Sequence, residues 1–169
     1  EKFSFQVHEV TILFLLNFIV SMLFAPIVGK AINLFGERWI LIVEYVGLTI
    51  IFLAYAGIYY FDWTVTVGII LFIANHLFFS MAFAIKTYFQ KIAEPYDIGS
   101  SVAVAFTINH IPAVFLPAVL GYIWIVEPSG IFVMAALMAL LSLILAFFVP
   151  RNPEPGTETI LNIRKRNRE

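Results

Sequence analysis

The sequence contains five apolar runs that are each long enough to cross a lipid bilayer as a helix. A transmembrane helix needs about 20 predominantly apolar residues. Transmembrane strands are excluded, because they appear as segments of about ten residues in which polar and apolar side chains alternate. The runs are Val10–Gly29, Trp39–Tyr60, Thr64–Ile85, Val102–Val126 and Gly130–Val149. We therefore predict an all-α, polytopic transmembrane bundle over residues 1–150, followed by a basic tail over residues 151–169.

The composition supports a membrane protein and gives no sign of an enzyme. Hydrophobic residues make up 62% of the chain and charged residues 12%, whereas soluble domains average about 45–50% and 25%. The chain has no cysteine, and its three histidines, His8, His76 and His110, lack metal-ligand spacing. No HExxH, GxSxG or P-loop motif is present. We expect no enzymatic activity, no cofactor and no metal site.

The basic residues divide unevenly between the two sides that five spans create. Lys2 lies on one side alone. On the other side lie Lys30, Arg38, Lys86, Lys91, Arg151, Arg164, Lys165, Arg166 and Arg168. The positive-inside rule makes this second side cytoplasmic. We therefore predict a multi-pass protein of the cell (plasma) membrane, its C-terminus in the cytoplasm and its tail attracted to anionic lipid rather than to nucleic acid.

The polar joint between the first two spans is predicted to be a tight hairpin. Gly36 stands where a helix ending at Phe35 needs a left-handed C-cap, and Glu37 then opens the next helix. Gly29 is small enough to let a neighbouring backbone approach closely. Pro26 removes one backbone donor and should bend the first span.

The pattern of this joint also resembles the cytoplasmic loop signature of the major facilitator superfamily, G-x-x-x-D-(R/K)-x-G-x-(R/K). Gly29, Gly36 and Arg38 match it, whereas Asn33 and Leu34 replace the acidic and the basic residue. The signature occurs once in each six-helix half of these transporters. The resemblance therefore implies that the five spans are helices eight to twelve, and that the N-terminal half of the same transporter is their partner.

The resemblance implies secondary active transport of a small solute by alternating access, driven by an ion gradient, such as a coupling proton, or by the gradient of the substrate. An N-out chain that begins at Glu1, with neither a starting Met nor a signal peptide, agrees with a fragment that has further spans upstream. A second hypothesis is a small membrane scaffold or assembly subunit, in which the polar groups only pack helices.

Eight polar side chains within the spans are candidates for the substrate cavity. Placing a polar group inside the hydrocarbon layer costs free energy unless the group faces other helices, water or a ligand. The alternative is a purely structural role, an interhelical hydrogen bond that contributes about 0.6 kcal/mol on average. The candidates are Asn17, Ser21, Asn75, His76, Ser80, Thr107, Asn109 and His110.

Two further features of the spans concern motion and coupling. Pro112 and Pro117, with Gly121 beyond them, should let the fourth span bend, as the interrupted helices of transporters do. Glu44 lies near the cytoplasmic end of the second span. It either pairs with Lys30 or Arg38 or binds a coupling ion.

Overall fold

The computed structural model describes residues 6–161, apart from the side chain of Asn109, and within this range the chain is helical, without strands. The helices are α1 (Val7–Phe35), α2 (Glu37–Phe61), α3 (Val65–Ser80), α4 (Phe83–Ile92), α5 (Ile98–Val126) and α6 (Pro128–Ala146). Five segments are long and apolar enough to cross a membrane, with α3 and α4 together forming the third. The predicted all-α bundle is confirmed. Lys2 and the basic cluster from Arg164 to Arg168 lie outside the described residues.

The helices extend beyond the apolar runs that predicted them. The helix α1 continues past Gly29 to Phe35, α4 continues to Ile92, and α5 already begins at Ile98. A helix satisfies its own backbone hydrogen bonds, so it can project past the hydrocarbon layer without apolar side chains. The segment between the third and fourth spans is therefore mostly helical rather than a loop.

Gly36 makes the whole turn between α1 and α2. Its φ of 82° and ψ of 160° lie in a region that only glycine adopts readily. Its N–H donates to the carbonyl of Ile32 at 2.9 Å, and it caps both helices. The positive φ agrees with the prediction, but the extended ψ differs from the left-handed helical cap that was expected. A single residue reverses the chain, because the extended ψ directs it at once into α2.

The third span contains a break that was not predicted, whereas the fourth span is one continuous helix. Pro112 and Pro117 both lie inside α5, which stays helical from end to end. The third span breaks at Met81 and Ala82, whose N–H groups donate to the carbonyls of Phe78 and Phe79 at 3.0 and 3.1 Å. These i→i−3 bonds tighten the end of α3 without proline or glycine. The two short pieces α3 and α4 therefore share one span.

The helix α2 is the centre of the bundle. It packs on α6 along one side and on α3, α4 and α1 along the other, whereas α5 packs on α6. A core cluster joins four helices at the end of the bundle that carries Gly36, called the Gly36 end below. Its buried members are Val28, Ile32, Ile40, Leu41, Ala84 and Ala146.

The chain after α6, over the described residues 150–161, folds back onto the Gly36 end and does not extend away from the bundle. Pro150, Pro153 and Thr157 are buried. The Tyr88 hydroxyl donates to the backbone carbonyl of Glu158. The N–H of Ile160 donates to the carbonyl of Phe148 at 3.0 Å. These contacts tie the tail to α4 and to the end of α6.

The close helix approach predicted at Gly29 occurs at Gly47 instead. Nothing lies within 4 Å of the position that a Cβ would take at Gly29. At Gly47 that position is only 2.2 Å from the ring of Phe78. Glycine in α2 therefore admits the aromatic side chain of α3, and the two helices interlock at this point.

Gly47→Ala should destabilise the protein, because the Phe78 ring must move to admit the methyl group. Overpacking of this kind costs about 1–3 kcal/mol. The matched control is Gly29→Ala, which meets open space and should be neutral or stabilise α1 by up to about 1 kcal/mol. Apparent melting temperatures of the detergent-solubilised protein measure both effects. An unchanged melting temperature for Gly47→Ala would contradict the interlocked packing.

Candidate functional site

An aromatic contact fixes the register between α1 and α3. The rings of Phe14 and Phe72 meet edge to face, with centroids 5.4 Å apart. Both helices leave the same end of the bundle, so side chains three to eight residues further along each helix lie side by side. On α1 these are Asn17 and Ser21. On α3 they are Asn75, His76 and Ser80.

Three of these side chains have buried polar atoms without a hydrogen-bond partner in the described chain. Asn17 is only 1% exposed, and neither its Oδ1 nor its Nδ2 is bonded. The same holds for Oδ1 of Asn75 and Nδ1 of His76. A buried polar atom without a partner costs about 1–3 kcal/mol. The arrangement leaves these donors and acceptors unpaired between the packed helices.

A groove of about 320 Å³ opens beside this row of polar groups. It contains three of the eight predicted cavity residues, Ser21, His76 and Ser80, and reaches across the break to α4. The full lining is Ser21, His76, Phe79, Ser80, Ala82, Phe83 and Lys86. We call it the α1–α3 groove.

Lys86 also lines the groove, although the sequence placed it only among the basic residues of the cytoplasmic side. A helical stripe could have identified it, because His76, Phe79, Phe83 and Lys86 follow one another at spacings of three or four residues. In the structure its Nζ lies 5.4 Å from the centroid of the Phe83 ring. The lysine is thus on the face that lines the groove.

The candidates on α5 lie apart from the α1–α3 groove. Thr107 and His110 are exposed and bond within their own helix, Thr107 to the carbonyl of Ala103 at 3.0 Å and His110 Nδ1 to that of Phe106 at 2.8 Å. They line a separate shallow pocket of about 440 Å³. The side chain of Asn109 lies outside what the structure describes. The seven candidates whose side chains are described therefore fall into two separate groups, one on α1 and α3 and one on α5.

Glu44 lacks the ion pair that was expected with Lys30 or Arg38. Its side chain is 2% exposed, and its Oε2 has no hydrogen-bond partner in the described chain. Arg38 lies about 9 Å nearer the start of α2 along the helix axis, and Lys30 is exposed on α1. The carboxyl group is packed inside the bundle without a counter-charge among residues 6–161.

The acidic residue that does pair with a lysine is Glu37, at the first position of α2. It is 1% exposed, and Nζ of the half-exposed Lys91 lies 2.6 Å from its Oε1. The contact is an ion pair without the alignment of a hydrogen bond. A polar cavity of about 390 Å³ adjoins it, lined by Asn33 of the loop signature and by Arg151. This contact fastens α4 to α2 at the Gly36 end.

Lys91→Met should lower stability by about 1–3 kcal/mol, because it leaves the buried carboxylate of Glu37 without its partner. Adding Glu37→Gln should restore most of the loss, since the unpaired charge is then gone. Lys30→Met, which removes an exposed lysine without an ion pair among the described residues, is the control. Melting temperatures of the unmodified protein, of the single variants Lys91→Met and Glu37→Gln, and of the double variant form a double-mutant cycle. Additive effects of the two substitutions would argue against the ion pair.

Comparison with known proteins gives one result for the whole chain. The family model described as Major Facilitator Superfamily matches residues 1–168. No curated protein and no solved structure matches the chain. Among the described residues, no group of three or more His, Asp and Glu side chains could hold a metal ion.

Proposed function

The chain belongs to the major facilitator superfamily of membrane transporters, and on this premise we propose that it forms helices eight to twelve of a twelve-helix secondary transporter, with its N-terminal half as partner and its C-terminus in the cytoplasm. The transporter moves a small solute by alternating access. The α1–α3 groove is its share of the substrate cavity, and α5 offers a second lining surface through Thr107 and His110.

The observation that carries this proposal is the row of unsatisfied polar atoms between α1 and α3. In lipid such atoms are retained where they meet water or a ligand. Asn17 is buried deep in a long apolar helix, where leucine would pack without loss of hydrogen bonds. A transporter needs such groups for substrate, whereas a scaffold gains nothing from leaving them unpaired.

The break between α3 and α4 gives the proposed motion a physical basis. The α4 side is anchored by the fully buried Ala84, by the Lys91–Glu37 ion pair and by the bond from Tyr88 to the tail. The helix α3 packs on α1 and α2, although none of its residues is fully buried. Regular helical hydrogen bonding is interrupted at Met81 and Ala82, and short stretches of this kind often mark hinges. We expect the angle between α3 and α4 to change at this break as the cavity changes sides.

The substitution Asn17→Leu distinguishes a role of Asn17 in transport from a role in helix packing. In the full-length transporter we expect uptake to fall at least about tenfold, because a ligand partner is lost, while the melting temperature stays equal or rises. The measurement is uptake into proteoliposomes of the compounds that the unmodified protein accumulates from a panel of radiolabelled sugars, amino acids, carboxylates and amines.

His76→Ala should lower the same uptake, and His8→Ala, at the exposed start of α1, is its matched control. Unchanged uptake in both Asn17→Leu and His76→Ala would remove the α1–α3 groove from the substrate path. Absence of any transport by the full-length protein would favour the scaffold hypothesis.

Glu44 is the proposed site of a coupling proton, because its carboxyl is buried in α2 without a counter-charge in the described chain. Glu44→Gln keeps the size of the side chain but cannot exchange a proton. We expect it to abolish accumulation driven by a pH gradient while exchange of internal for external substrate persists. Loss of both activities to the same degree, or of neither, would contradict a coupling role.

A further inference from the structure

We propose that the α1–α3 groove selects an organic anion with an apolar body, such as an aromatic or branched carboxylate. This inference rests on the proposed function, since it names the substrate class of the same cavity. The groove carries a lysine and a histidine, and no acidic residue of the described chain lines it. Its charge therefore favours an anionic partner.

The orientation of Lys86 distinguishes it from a lysine that only reaches the membrane surface. Such a lysine extends its stem so that the ammonium group lies in water. Lys86 instead lies over the ring of Phe83, one turn nearer the start of α4 and the break in the span. No carboxylate of the described chain pairs with it, in contrast to Lys91 on the same helix. Its charge is available to a molecule in the groove.

The far end of the groove offers further polar groups. His76 Nδ1 is buried without a partner, and Ser21 makes no hydrogen bond among the described residues. Ser80 already donates its hydroxyl to the carbonyl of Leu77 at 2.6 Å, so only its oxygen is left to accept. A ligand can therefore bind the ammonium group with its charge and the imidazole with a second polar group.

The middle of the groove is apolar and aromatic. Phe79 and Phe83 line it and remain 65% and 50% exposed. A volume of about 320 Å³ is at the lower end of small-molecule sites. Exposed rings between two polar ends fit a ligand with a body of one or two rings.

Depth favours a soluble anion over the headgroup of a membrane lipid. Ser21 lies about 21 Å from the start of α1 and His76 about 16 Å from the start of α3, at 1.5 Å per residue. A lipid with its phosphate at Lys86 would lay acyl chains against these polar groups and leave them unsatisfied. A solute with two polar ends satisfies both.

The test uses full-length protein in phosphatidylcholine nanodiscs and matched sets of acid, amide and amine built on naphthyl, phenyl and cyclohexyl bodies. Every compound also carries a hydroxyl group opposite the varied group, as the second polar end. We expect acids such as 6-hydroxy-2-naphthoate to raise the melting temperature, and the amide and amine of the same skeleton not to do so. Lys86→Met should weaken acid binding about tenfold or more, the loss of a charge-assisted contact. Lys86→Arg should retain it, and the control Lys30→Met should leave it unchanged.

Several outcomes would overturn the anion assignment. These are stronger binding of amides or amines, no stabilisation by any acid, or an Lys86→Met variant that binds acids as before. If phosphatidylglycerol nanodiscs abolish binding of 6-hydroxy-2-naphthoate at constant ionic strength, the occupant is a lipid headgroup and the assignment also fails. If Lys86→Met does not fold, the comparison of acid with amide on the unmodified protein still shows whether the groove selects an anion.

The outcomes that contradict the proposed function differ from those that contradict the anion site. Lys86-dependent binding of acids, without their movement across proteoliposomes, would support the anion site and contradict transport. Uptake of neutral or cationic compounds that depends on Asn17 and His76 would support transport and contradict the anion site.

Discussion

The packing of α2 against α6 is the interaction on which the rest of the structure depends. Small residues of α6, Ala136, Ala139 and Ala146, are buried and let the two helices approach closely. In lipid, where tails are as apolar as leucine, such close contact is the main source of helix association. We call this helix pair the α2–α6 support. The polar residues of the groove lie on the helices that pack around it.

Much of the fold follows from the sequence, because hydrophobic run length reports directly on the thickness of the bilayer. The five spans were predicted on this basis, and the turn at Gly36 from the positive φ that a helix end requires. Of the predicted cavity residues, Ser21, His76 and Ser80 share a groove. The break after Ser80 was not predictable in this way. It contains neither proline nor glycine and arises from a local change to i→i−3 bonds.

Side-chain partners were the least predictable part, because they depend on helix rotation rather than on position along the membrane normal. Glu44 lies close to Lys30 and Arg38 along the chain, yet its side chain is buried in the packed interior. The close approach expected at Gly29 occurs at Gly47 for the same reason. Thr107 and His110 are polar at a suitable depth but lie on an exposed surface of α5, which packs on α6.

The two lysines of α4 show how one short helix can join binding to structure. They are five residues apart, so they project about 140° from each other around the helix. Lys91 is held by Glu37 of α2, and Lys86 faces the groove. A molecule bound at Lys86 therefore contacts an element fixed to the α2–α6 support, whereas His76 belongs to α3 across the break. A ligand that contacts both residues bridges the break, so its binding favours the angle between α3 and α4 that lets both contacts form.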